Sequence, residues 1–116
     1  MSNCIFCKIA AVEIPSKKIY EDEDIFVFND INPVRPVHFL MIPKRHVGSL
    51  YDVDGSYQAV LGKMLVKAGD LARKQGLNDG FRTIVNTGKI GGQEVYHLHI
   101  HVIGGPQPVG PMASRT

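Results

Sequence analysis

The chain has 116 residues, 44% of them hydrophobic and 21% charged, which suits one globular domain and excludes disorder, a fibrous repeat and a second full domain. Its net charge is only +2, and the basic residues lie in scattered short pairs such as Lys17-Lys18, Lys44-Arg45 and Arg73-Lys74, so no nucleic-acid duplex is expected as a partner. There is no run of about 18 apolar residues and no signal-length apolar stretch at the start, so the expectation is a cytoplasmic protein with no membrane partner.

In chain order, the first feature is the pair Cys4 and Cys7, the two cysteines of the chain. Their C-x-x-C spacing suits a metal knuckle or a redox pair better than a disulfide framework, with two plain thiols as the bland alternative. A redox pair normally caps a helix that follows a strand, and three residues before Cys4 leave no room for one, which favours metal. Residues 18–22 (KIYED) read as a weak strand, and 25–30 (IFVFND) and 37–43 (VHFLMIP) as stronger ones, separated by the turn residues NPVRP at 32–36. Residues 56–75 read as the one long helix. Tyr57, Val60, Leu61, Met64, Leu65, Ala68, Leu71 and Ala72 keep the rhythm of a single buried face, with Asp54 as N-cap and Gly76 closing the end. Residues 81–86 (FRTIVN) and 95–103 (VYHLHIHVI) read as two further strands around the turn TGKIGGQ at 87–93. Strands in succession around one helix predict an α+β class with an antiparallel sheet. From Gly104 onward Pro106, Pro108 and Pro111 cannot continue a sheet, so the expectation is one domain, 1–116, with a core at about 4–105 and a tail at 106–116.

The last strand carries His97, His99 and His101 at alternate positions, three of the five histidines in the chain. Period two puts them on one face at roughly 7 Å spacing, with Leu98, Ile100 and Val102 on the other. Such a row can supply one or two metal ligands, because neutral imidazole binds zinc, but three in line span too far for one tetrahedral ion. It can also supply a nucleophile for phosphorus with flanking groups that orient it or hold phosphate oxygens. A polar face turned to water is the third reading. The glycine-rich NTGKIGGQE at 86–94 runs straight into the row and lets main-chain N–H groups approach an anion, which favours the second.

The stretch HLHIHVI, residues 97–103, resembles the defining motif of the histidine triad family of nucleotide hydrolases and transferases. The likeness runs through CIFCKIAAVEIPSKKIYED, VFNDINPVRPVHFLMIPKRH and VNTGKIGGQEVYHLHIHVIGG, about residues 4–112, and points to the Hint branch of small purine nucleoside phosphoramidases, bacterial type. The resemblance implies a five-stranded antiparallel sheet with one long helix and a short N-terminal helix, assembled as a homodimer. It implies that His99 attacks the α-phosphorus of a purine nucleotide, such as an adenosine phosphoramidate, and forms a nucleotidyl-histidine that water then cleaves. His101, His38 and Gln93 match catalytic positions that assist the nucleophile or surround phosphate and leaving group. Asp30 matches the carboxylate that accepts the ribose hydroxyls, and Ile5, Phe6, Ile9, Phe28 and Ile31 match an apolar slot for the base. Asn86 and Gly92 match residues beside the phosphate. Without the resemblance, His38 reads as an ordinary strand histidine, Asp30 as a turn starter before Asn32-Pro33, and the apolar residues as core.

Family members that begin with C-x-x-C use both thiolates, a later histidine and the first histidine of the triad for a structural zinc. Here those positions are Cys4, Cys7, His46 and His97, and no cofactor is implied for the chemistry itself. Two features depart from better-known relatives: Glu94 replaces a hydroxyl residue near the leaving group, and the tail holds no Trp. The alternatives are a dinucleoside polyphosphate hydrolase, or a nucleotide- or zinc-binding interaction module with little catalysis.

Overall fold

The computed structural model describes residues 3–112. Its long helix α2, Gln58–Lys74, is preceded by a single 3-10 turn at Gly55–Tyr57. Asp54 caps that turn by accepting the Ser56 N–H at 2.8 Å, and so does the work expected of an N-cap. At the other end Gly76 takes φ +94, which directs its N–H to the Arg73 carbonyl at 3.0 Å and the Leu77 N–H to the Ala72 carbonyl at 2.9 Å. This 6→1 and 5→2 pair closes the helix, and a residue with a Cβ would strain there.

Four strands pair onto β3, Val37–Pro43, or its neighbours. They are β1, Lys18–Glu21, β2, Ile25–Asn29, β4, Arg82–Ile84, and β5, Ile100–Gly104, in the sheet order β1-β2-β3-β5-β4, antiparallel throughout. The short helix α1, Ile5–Ala10, completes the α+β architecture.

The apolar residues of β2 and β3 run without alternation because both faces of the sheet are covered. On one face Ile25, Val27, Phe39, Met41, Ile100 and Val102 pack against Met64, Ala68, Leu71 and Ala72 of α2. On the other, Phe26, Phe28, Leu40 and Ile42 pack against Phe6 and Ile9 of α1. The expected buried face of α2 needs one correction: Leu65 is 58% exposed. At about 100° per residue it sits some 80° off the centre of the stripe, past Ala72, and with Val66, 80% exposed, it faces outward.

The expected strand at 95–103 is also corrected. Pairing starts at Ile100, opposite Met41, and the register would next bring Leu98 opposite Pro43. Proline has no N–H to donate, so the ladder stops, and the Leu98 N–H turns instead to the Val47 carbonyl at 2.8 Å. Residues 95–99 therefore approach the sheet without joining it. The expected tail, as far as it is described, is tied down by two arginines: Arg35 donates to the Val109 carbonyl, and Arg82 to those of Gly110 and Pro111. Residues 113–116 lie outside the described part.

Candidate active site

The three alternate histidines share the α1 side of the sheet, but each has a different environment. His99 is 7% exposed, and its Nδ1 lies 2.8 Å from the His97 main-chain oxygen. A carbonyl only accepts, so Nδ1 must carry the hydrogen and Nε2 keeps its lone pair. Burial lowers the His99 pKa, against the pull of that carbonyl and of the Asp30 charge, which keeps the ring neutral. The Phe6 ring stands edge-on to it, with centroids 5.0 Å apart.

Beside it, His101 and His38 form a directed chain. The Val34 N–H donates to His38 Nδ1 at 3.1 Å, so neutral His38 carries its hydrogen on Nε2. That nitrogen faces His101 Nδ1 at 3.0 Å and the Asp30 carboxylate at 3.3 Å. His101 Nδ1 therefore accepts, and its own hydrogen sits on Nε2. His99 and His101 rings lie 4.8 Å apart, and among the described residues neither the His99 Nε2 lone pair nor the His101 Nε2–H has a partner. Burial, then His99 and His38, push the His101 pKa down to about 4. Burial also lowers that of His38, while Asp30 opposes the shift. Asp30, His38 and His101 are close enough to hold a metal, but the Val34 N–H occupies the lone pair of His38 and leaves an N–H where a ligand is needed.

Cys4, Cys7, His46 and His97 place four donor atoms within 4.8 Å of one another, a group that could hold a metal ion. His97 is fully buried and gives its Nε2–H to the Pro43 carbonyl at 2.7 Å, which aims the Nδ1 lone pair at the cluster. The spacings are Cys4 Sγ to His97 Nδ1 3.2 Å, Cys7 Sγ to His46 Nδ1 3.4 Å, Cys7 Sγ to His97 Nδ1 3.5 Å, and His46 Nδ1 to His97 Nδ1 3.3 Å. A tetrahedron with ordinary Zn–N and Zn–S lengths has edges of about 3.3 Å between nitrogens and about 3.5 Å between nitrogen and sulfur. The donor set therefore has the size and chemistry of a closed Cys₂His₂ site. Burial and the adjacent Cys4 raise the Cys7 thiol to about 11. A third cluster, the acidic Asp22, Glu23 and Asp24, is already filled by the Lys63 ammonium at 2.9, 3.7 and 3.1 Å.

The chain is similar to several known proteins. A family model described as the C-terminal binding domain of the scavenger mRNA decapping enzyme matches residues 3–116. Protein HitA of Neisseria gonorrhoeae is 56% identical over 106 residues, 91% of this chain and 99% of the relative. The purine nucleoside phosphoramidase of Escherichia coli K12 is 44% identical over 112 residues, 96% of this chain and 93% of the relative. Among solved structures, a histidine triad protein from Clostridium difficile superposes with a TM-score of 0.90 at 44% identity, covering 96% of this chain and 97% of its own. This chain belongs to the histidine triad family.

The remaining residues expected in a histidine triad site are not equally close to it. Phe6 touches Phe28, His99 and His97, with ring centroids 5.5, 5.0 and 6.0 Å away. Phe6, Ile9 and Phe28 are buried in the α1 cluster, whereas Ile5 and Ile31 are exposed. Asp30 accepts the Asn32 N–H on Oδ1 while Oδ2 faces His38. Asn86 is half-buried at the start of the glycine-rich loop, and Gly92, at φ +82, is exposed near its end. Gln93 is buried and fully engaged: Oε1 accepts the Gly88 N–H at 2.9 Å, and Nε2 donates to the carbonyls of Gly48 and Val95 at 2.7 and 3.0 Å. It braces the loop. Three groups that sequence reasoning missed are main-chain atoms, the Val34 N–H and the carbonyls of Pro43 and His97, which set the tautomers of His38, His97 and His99. A main-chain group leaves no residue-type signal, and the one available hint was Pro43, whose carbonyl has no ladder partner across the sheet.

Proposed function

We propose that the protein hydrolyses purine nucleoside phosphoramidates, or related P–O bonds, through a nucleotidyl intermediate on His99. The observation that carries this is the complementary pair of tautomers, a free Nε2 lone pair on His99 next to a free Nε2–H on His101. His99 Nε2 attacks the α-phosphorus as the bond to the departing nitrogen or oxygen breaks, the His101 Nε2–H hydrogen-bonds the departing atom, and the leaving group takes its proton from solvent. The His38 Nε2–H stays hydrogen-bonded to His101 Nδ1 and fixes that tautomer, while the Asp30 carboxylate, also facing His38 Nε2, orients the His38 ring. Water then attacks the phosphorus of the nucleotidyl-His99 and loses its proton to solvent, and the P–Nε2 bond breaks to restore the His99 lone pair. Asp30 retains acceptor capacity for ribose hydroxyls, Phe6 and its neighbours offer an apolar side for the base, and Asn86, Gly92 and the loop that Gln93 braces border the phosphate. The purine nucleoside phosphoramidase relative supports the substrate class.

The Cys4, Cys7, His46 and His97 cluster is read as a structural zinc site that ties α1 to the catalytic segment. When bound, zinc there supplies rigidity and no open position for chemistry. The outward Leu65 and Val66, flanked by Gly62 and Gly69 with open space around them, support a homodimer that pairs through α2. The whole chain is read as one cytoplasmic domain. The experiment is intact-mass spectrometry of protein mixed with an adenosine phosphoramidate and quenched early. An adenylyl adduct mapped to His99 is expected, and its presence in His99→Ala would sink the mechanism.

A further inference from the structure

His97 belongs to two structures at once. Its side chain offers Nδ1 to the Cys4, Cys7 and His46 donors, while its main-chain oxygen accepts the His99 Nδ1–H at 2.8 Å. The segment that carries this oxygen, 95–99, has no ladder bonds to β3. What holds it are the Gln93 Nε2–H on Val95, the Leu98 N–H on Val47 with Leu98 packed among Val47 and Tyr57, the His97 Nε2–H on Pro43, and the donor cluster. The other wall of His99 has the same dependence. Phe6 lies between Cys4 and Cys7 in sequence, and its ring edge meets both His99 and His97. Two donors of the cluster therefore bracket the ring that packs on His99, and a third carries the carbonyl that selects its tautomer.

We propose that occupation of this cluster by a divalent cation positions His99, with His97 and Phe6 as the positioning residues. The cation draws α1 and residue 97 onto one point, which fixes the His97 carbonyl and the Phe6 ring around the imidazole. Once the cation leaves, both supports loosen, and His99 exchanges between tautomers, one of which has no lone pair on Nε2. The inference rests on the reading of His99 as the nucleophile.

The test uses full-length protein with ¹⁵N-labelled histidines, zinc-loaded and after chelation, near neutral pH. Two-bond ¹H–¹⁵N correlations of the imidazoles report each tautomer. The zinc form is expected to show His99 as a single Nδ1–H tautomer, and the metal-free form to show averaged nitrogens. In parallel, kcat falls about tenfold on metal removal while KM stays within about twofold, and zinc alone restores both. Identical His99 nitrogens in the two forms, with His46 and His97 changed, would overturn the proposal. A second variant, Phe6→Leu, keeps all four donors and decides the matter if the metal-free protein unfolds. It is expected to retain one zinc per chain and still show partial averaging at His99. A higher KM with His99 unchanged would place Phe6 against the base alone and count against positioning. Absence of any His99 adduct in the zinc-loaded protein refutes the nucleophile separately, because the tautomer comparison does not depend on turnover.

Discussion

Replacing Gln93 with alanine separates a loop brace from a catalytic group. The wild-type amide makes three hydrogen bonds to main chain, and the side chain is 8% exposed. Alanine leaves the Gly88 N–H and the Gly48 and Val95 carbonyls without these partners, at about 1 kcal/mol each, or about 2–4 kcal/mol together. An unfolding entropy of about 2.1 cal/mol/K per residue gives a domain of this size a shift of about 4 °C per kcal/mol, so Tm should fall by about 8–16 °C. Gln93→Glu keeps the acceptor for Gly88 but sets a carboxylate oxygen against two carbonyls, and should be at least as damaging. Thermal unfolding followed by circular dichroism, with amide exchange at Gly88, measures both. A Tm within about 2 °C of wild type together with a large loss of rate would refute the brace and return Gln93 to the chemistry.

Three further outcomes are expected. Burial lowers the pKa of His38, His99 and His101, so the unfolded chain binds more protons than the native one between the ordinary value of 6.5 and the native His101 value of about 4. Stability is then fully present above that window and is lost as pH falls through it. Denaturant titrations across the window should show this, with a smaller slope in His101→Asn; a flat profile contradicts the burial argument. Elemental analysis of protein purified without chelator should give one zinc per chain, and chelation should lower Tm; a protein without metal and unaffected by chelator removes the zinc reading. Finally, wild-type protein is expected to scatter as the proposed homodimer and Val66→Asp as a monomer of little-changed fold; an unchanged mass counts against pairing through α2.

Most of the architecture could be read from the sequence because local signals and burial agree there. The rhythm of α2, its Asp54 cap and Gly76 stop, and the apolar runs of β2 and β3 each have a local cause. The last strand could not be placed correctly from its own residues, since what ends it is a missing donor on another strand, Pro43. Leu65 was misplaced because periodicity fixes an angle but not the width of the covered stripe. The four cluster donors were legible through the family resemblance, whereas the tautomers of the histidines depend on main-chain groups brought close by folding.

Pro43 also constrains how the chain can change. A valine or isoleucine there would be a better strand residue and would add an N–H able to receive residue 98 into the ladder. The sheet would gain a rung, and residues 97–99 would flatten into regular pleat, drawing His97 off its cluster and its carbonyl off His99. At this position the stability of the sheet and the proposed placement of His97 and His99 make opposite demands. Proline is the residue that keeps the sheet from closing over its own reactive segment.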